Sequence, residues 1–244
     1  SLSTTIIPQN ELEALQANLI RSHAVGTGPQ IDKPLVRLML ASKVRSLSQG
    51  YSAVEWRTVE ALNALLDHDI VPIIPSMGSL GASGDLAPLS HMTLVLMGEG
   101  QAQLGSQIMG GAEALAQKDL RPVVLGAKEG LALINGTQFM LAHGLWLAIQ
   151  SRRLSYLADV VAGASLIGFD GCSAPFDARI HQVRPHGGQA LVAARMRDFL
   201  QDSSDFIPVK PHVQDPYSFR CIPQVHGASN DVWAHVAEVM LRES

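Results

Sequence analysis

TQFMLAHGLWLAIQSRRLSYLADVVAGASLI, residues 137–167, is the stretch that decides the fold class. It contains no proline, and small residues (Ala142, Gly144, Ala148, Ala158, Ala162, Ala164) are spread among the large apolar ones. Such a run reads as one long helix that is apolar on several faces. A helix of that kind belongs inside a bundle or at a subunit interface rather than on a wet surface.

Helical patterns continue on both sides. Asn10-Glu11-Leu12-Glu13 reads as an N-cap with an acid at the third helical position, followed by Leu12, Leu15, Leu19 and Ile20 at helical spacing as far as Gly26. A second helix is expected after Asp32, with Pro34 in its first turn and an end near Gly50. A third is expected from Ser52, where Glu55 completes another capping box and Val59, Leu62, Leu65 and Leu66 share a face. A fourth ends at about Gly98, and residues 223–243 start another. Between Gly100 and Gly110 the pattern alternates around Gly105-Ser106, which reads as a short β-hairpin and the only clear strand pair. The expected architecture is mainly α, a long-helix bundle with a smaller loop-rich, short-hairpin region. Residues 1–135 would hold the loop-rich region and 136–244 the start of the bundle, as one continuous unit without repeat, linker or low-complexity tract.

Composition narrows the function classes. With 244 residues, 47% of them hydrophobic, the chain can bury a sizeable core. Charged residues make up only 16%, against about 25% in a typical soluble domain, a deficit that large subunit interfaces would explain. A net charge of −4 without any basic run gives no footprint for nucleic acid. No apolar stretch runs the roughly 18 residues that span a bilayer without polar interruption, so no membrane partner is expected. Cys172 and Cys221 are isolated thiols, as a reducing, cytoplasmic compartment would give. His181 and His186, five apart in a Pro- and Gly-rich stretch, lack metal-ligand spacing and read as structural, and no phosphate-binding glycine loop or nucleophile elbow is present. Neither a metal nor a nucleotide is expected.

The chemistry-bearing segment is Gly78-Ser79-Leu80-Gly81-Ala82-Ser83-Gly84-Asp85. If this loop folds back tightly, the Gly84 nitrogen can attack the Ala82 carbonyl carbon and close a five-membered ring that loses water. Loss of the Ser83 hydroxyl as a second water then leaves 4-methylideneimidazol-5-one (MIO), an electrophile built from the backbone. Ordinary side chains supply nucleophiles and bases, so a built-in electrophile points to an electron-rich substrate. Taken alone, Gly-Ala-Ser-Gly is also a common loop composition. Its setting is more particular: the extended apolar run Val71-Pro72-Ile73-Ile74-Pro75 leads in, and Asp85-Leu86-Ala87-Pro88 follows as a helix start whose dipole favours negative charge near the ring.

GSLGASGDLAPLSHM resembles the cofactor-forming loop of the aromatic amino acid ammonia-lyases, which act on histidine, phenylalanine or tyrosine. Other segments resemble that family in the same order: residues 18–26, Lys128 to Gln138, Pro175 to His181, and Val213-Gln214-Asp215-Pro216-Tyr217-Ser218-Phe219-Arg220-Cys221. Ser22-His23 and the run from Gln214 to Cys221 look most like the histidine enzyme. The family's catalytic tyrosine stands in a Tyr-Gly-x-x-Thr-Gly-Phe-Gly segment upstream of the first match, and the family continues past the segment matching Pro223-Gln224-Val225. The chain therefore reads as about the middle half of a family member.

The resemblance implies the ammonia-lyase/fumarase-like superfold, an MIO ring at Ala82, Ser83 and Gly84, and an active-site loop near 212–221. It makes Tyr217 an assistant at the electrophile, contributed by a neighbouring subunit of a homotetramer with composite sites. It also implies that Arg220 clamps the substrate carboxylate, that Gln214 supplies amide hydrogen bonds, that Asn135 orients the electrophile or substrate amine, and that His23 lines the side-chain pocket. From the residues alone, Asn135 beside Gly136 also reads as a turn or helix C-cap, His23 as a helix-end histidine, and Tyr217 with Arg220 as a structural pair. The implied reaction is elimination of ammonia from L-histidine to give urocanate. Deamination of tyrosine or phenylalanine, or migration of their amino group as in an aminomutase, and a silent fragment with an uncyclised loop, stand as alternatives.

Overall fold

The structure is a computed structural model that describes residues 8–201 and 213–244. It is mainly helical and divides into two compact units, residues up to Gly144 and residues Leu145–Glu243, so that the long helix starts in one and continues in the other.

In the first unit α1 (Leu12–His23), α4 (Leu86–Leu96) and α6 (Glu129–Ile134) pack on one another, and α2 (Lys33–Ser48) packs on α3 (Trp56–Asp67). The helical spacing read from the sequence puts Ile20, Met39, Leu40, Leu62, Leu65, Leu89 and Met92 at 0% exposure in a shared core. Burial of each such side chain stabilises the fold by about 1.5–3 kcal/mol.

Two helix starts differ from expectation. Asn10 does not cap α1: residues Gln9–Glu11 form a 3-10 turn, and Glu11 holds the cap position without a side-chain bond. Ser52 does not open α3, because Ala53 takes a left-handed conformation (φ 51°) that no helix continues through, and the helix begins at Trp56 after Glu55. The second helix agrees with the reading, with Asp32 before its first turn and Pro34 inside it.

The hairpin forms as β4 (Gln101–Leu104) and β5 (Gln107–Gly110), turning at Gly105 with φ 61°. It is not the only strand pair. β2 (Ile70–Pro72) joins β4 antiparallel, Ile70 opposite Leu104, while β1 (Thr27–Gln30) pairs antiparallel with β3 (Pro75–Met77). The apolar run at 71–75 thus leaves one sheet and enters the other, and the glycine-rich loop hangs between the end of β3 and the start of α4. A short α5 (Gly111–Ala116) follows the hairpin.

The second unit is built from α7 (Gln138–Gly168) beyond Gly144, α8 (Ala178–Gln182), α9 (Gly187–Leu200), α10 (Tyr217–Arg220) and α11 (Ile222–Glu243). Leu166, Phe176, Val192, Met196, Leu200 and Ile222 form its core. α9 and α11 meet backbone to backbone: a Cβ on Gly188 would stand 2.1 Å from Gly227 O. Asp159, fully buried on α7, accepts from Arg195 of α9 at 2.8 Å and is bonded to His226 Nδ1 of α11 at 2.8 Å, which ties the three helices together. His181 lies on α8 rather than in a loop. Its role is structural, with Nε2 3.1 Å from Pro175 O and Nδ1 2.9 Å from Gln189 Nε2.

By length and composition, residues 129–168 would suffice to cross a membrane, with an 18-residue window reaching a mean hydropathy of 1.2. The buried Asp159 within that stretch is instead neutralised by neighbouring helices. Cys172 and Cys221 are both free thiols.

Candidate active site

Ala82, Ser83 and Gly84 lie in bends between β3 and α4, held from below by the turn that joins α6 to α7. Asn135, the C-terminal cap residue of α6, donates from Nδ2 to Ser83 O at 2.5 Å. Asp85 N donates to Gly136 O at 2.7 Å. Gly84 has φ 91°, and a Cβ there would sit 2.5 Å from Gly136 O and 2.8 Å from Gly136 N, so position 84 admits only glycine on two independent grounds. A glycine nitrogen in a bend, with no side chain beside it, is what closure onto the Ala82 carbonyl needs. The residues present therefore fit the ring.

The sequence marks Asp85 only as a helix start, and the structure gives it a larger part. It is fully buried. Its Oδ1 accepts from Ser79 Oγ at 2.8 Å and its Oδ2 from Met140 N at 2.9 Å, so one carboxylate pins the front of the loop to the first turn of α7. An acid directly after Ala-Ser-Gly was the available signal; its burial was not.

The same unit brings His23 to the loop. Ser22, His23, Val25, Gly78, Leu80, Ala82, Ser83, Gly84, Leu86 and Ala87 line one open depression of about 200 Å³. His23 Nδ1 stands 2.8 Å from Leu19 O and 3.1 Å from Ser22 Oγ. A carbonyl only accepts, so Nδ1 carries the hydrogen and Nε2 of the neutral ring is an acceptor. His91 on α4 steadies the turn behind His23: Gly26 N donates to its Nε2 at 3.0 Å, and burial pushes its pKa below the usual imidazole value, which keeps that acceptor bare. A Cβ on Gly78 would lie 3.0 Å from Gly26 Cα, which shows how closely the loop crosses this turn.

Gln214, Tyr217 and Arg220 belong to the second unit, and residue 212 of the expected loop lies outside the described residues. Tyr217 opens α10 after Pro216 and is 71% exposed, and Gln214 is also exposed. Arg220 Nε donates to Asp215 O at 2.9 Å, and its guanidinium carbon stands 5.5 Å from the centre of the Tyr217 ring. Asp215 is buried and accepts from Cys172 N through Oδ2 at 2.5 Å, which anchors this segment. The structure thus gathers His23, Ala82, Ser83, Gly84 and Asn135 in one unit, and Gln214, Tyr217 and Arg220 in the other. Among the described residues no group of three or more His, Cys, Asp or Glu side chains gathers for a metal.

The first unit thus presents, at a helix start, a loop built around a glycine at positive φ, beside a histidine held by Leu19 O. The description of the aromatic amino acid lyases matches residues 1–244, and the chain belongs to that family. It is 45% identical over 249 residues to a histidine ammonia-lyase of Sorangium cellulosum, covering 100% of this chain and 48% of that protein. Among solved structures it matches the histidine ammonia-lyase of Trypanosoma cruzi at 38% identity and a TM-score of 0.88, covering 99% of this chain and 45% of the other. It also matches Pantoea agglomerans phenylalanine aminomutase at 34% identity and a TM-score of 0.90, covering 96% and 49%. The chain spans about half the length of the curated relatives it matches.

Proposed function

We propose that this chain forms the electrophile-bearing part of a carbon–nitrogen lyase that eliminates ammonia from L-histidine to give urocanate. The observation that carries the reading is the loop itself: Gly84 is locked at positive φ against Gly136, with Ser83 O held by Asn135 and Asp85 pinned behind it. Once formed from Ala82, Ser83 and Gly84, the MIO ring supplies an electron-poor alkene that makes the substrate nitrogen a better leaving group. The rest of the chemistry falls to side chains. His23 Nε2, an acceptor by its tautomer, suits the N–H of a substrate imidazole. Asn135 holds the loop carbonyl and orients the electrophile. In the second unit, Arg220 would clamp the substrate carboxylate by its planar fork, Gln214 would add amide hydrogen bonds and Tyr217 would assist at the electrophile.

The depression on the first unit is smaller than the roughly 300–1,000 Å³ of a complete ligand pocket, which supports a site completed by other segments. We place these in a homotetramer with composite sites. Leu147, Leu154, Leu157 and Val161 form one apolar stripe at helical spacing along α7, all more than half exposed, and this supports a subunit interface there. A cytoplasmic location agrees with the two unpaired thiols.

Intact mass and substrate turnover test the proposal together. Ring closure lowers the mass by about 36 Da, two waters by stoichiometry. The expected result is a lightened protein that converts L-histidine to urocanate. A sister activity on tyrosine or phenylalanine is favoured by the likeness to the aminomutase, and turnover of those amino acids in place of histidine would establish it. Full mass with no turnover of any of the three would leave only a silent fragment.

A further inference from the structure

Among the described residues Lys43 is the buried lysine, at 1% exposure on α2, and it has no part in the proposed substrate site. A buried ammonium without a carboxylate costs stability. Among the described residues its only hydrogen-bond acceptor is Gln138 Oε1, at 3.5 Å. Burial alone pushes its pKa down to about 8.

Gln138 is the first residue of α7, and its side chain folds back over the Gly136 backbone: a Cβ on Gly136 would lie 2.2 Å from Gln138 Oε1. Gly136 is in turn the surface on which Gly84 rests, and its carbonyl holds Asp85 N. A continuous line of contact therefore runs from α2 through Lys43, Gln138 and Gly136 to Gly84, all within the first unit.

We infer that Lys43, acting through Gln138, is a positioning residue for closure of the Ala82–Gly84 ring. The inference rests on the ring-forming reading above. In that closure the Gly84 nitrogen bonds to the Ala82 carbonyl carbon, and the carbonyl oxygen leaves as water with the amide hydrogens of Gly84 and Ser83. The Ser83 hydroxyl then leaves as a second water with the Ser83 Cα hydrogen, so no oxidant or co-reactant is needed. Attack requires the Gly84 nitrogen to be pressed toward the carbonyl. The 135–138 turn provides that press only if it cannot retreat. Lys43 braces Gln138 from the core side, and Gln138 keeps Gly136 in place. Misplacement by a fraction of an ångström slows an intramolecular attack steeply.

The test is a cell-free synthesis chase in which the intact mass of newly made protein is followed in time, with far-UV circular dichroism on the same samples. Lys43→Met and Gln138→Leu should fold with the helicity of the wild type yet lighten about tenfold more slowly or worse, and the double variant should be no slower than the slower single, because both break one contact. If Lys43→Met fails to fold, Gln138→Leu alone decides. Wild-type rates of lightening in a folded variant overturn the inference while leaving the proposed function intact. Failure of both variants to fold would assign the pair to core stability and overturn it as well. A wild-type chain that never lightens removes the ring-forming reading and this inference with it.

Discussion

Replacing Lys43 by methionine should change how the stability of this protein depends on pH, by an amount the structure sets. The side chain is 1% exposed, and burial lowers its pKa from 10.5 to about 8. At about 1.4 kcal/mol per tenfold change in proton affinity, that fall corresponds to about 3 kcal/mol. In the unfolded chain the amine keeps its proton up to pH 10.5, whereas in the folded chain it releases it near pH 8. Between those values the unfolded state binds the extra proton, so Lys43 makes stability rise with pH, and below about pH 8 its full cost is present. Methionine fills a similar volume without the charge. Urea unfolding followed by circular dichroism, at one fixed protein concentration, should therefore show wild type gaining about 3 kcal/mol relative to Lys43→Met between about pH 7.5 and about pH 10.5. Parallel stability curves for the two proteins over this range would refute the argument that an ionised lysine is buried here. Taken with its proposed part in ring closure, the lysine would be a case of stability given up at a working position.

Three further outcomes follow from the geometry. Gly84→Ala places a Cβ 2.5 Å from Gly136 O at φ 91°, so it should abolish the mass deficit of about 36 Da while helicity is retained; intact mass and circular dichroism on one sample decide this. Glu129 is buried and accepts from Glu55 N, Thr58 Oγ1 and Gly126 N at 3.0, 2.7 and 2.7 Å, so Glu129→Gln, which turns one acceptor into a donor, should cost about 2–3 kcal/mol in urea unfolding; a change below about 0.5 kcal/mol would contradict that. Asp159→Ala leaves Arg195 and His226 facing an emptied buried site and should destabilise the second unit by about 3–5 kcal/mol, whereas exposed ion pairs such as Arg242 with Glu238 should cost under about 1 kcal/mol when broken.

How far the sequence carried can be judged at particular residues. The long helix was legible because proline-free apolar periodicity over some thirty residues has few alternatives, and it forms as Gln138–Gly168. The start of α3 was not: Ser52-x-x-Glu55 has the letters of a capping box, but a cap depends on backbone angles, and Ala53 at φ 51° turns the chain elsewhere. The extra strand pairings of β1 with β3 and β2 with β4 escaped as well, because runs of three or four residues acquire a partner only when distant segments meet. Within the site, the composition of Ala82-Ser83-Gly84 is what leads to the proposed ring formation. Asp85, Gly136, Gln138 and Lys43 did not, since nothing local to a lysine in a helix says that it will be buried.

The order of apolar and small residues determined that this protein is helical, and three adjacent small residues point to the ring-forming chemistry proposed for it. Only the tertiary structure decided that Gly84 packs closely on Gly136, that His23 stands beside the loop with Nδ1 held by Leu19 O, and that a lysine from α2 reaches Gln138 behind the turn. Periodicity and composition are properties of neighbours along the chain. Close packing, hydrogen-bond partners and burial are imposed by groups that become neighbours only after folding.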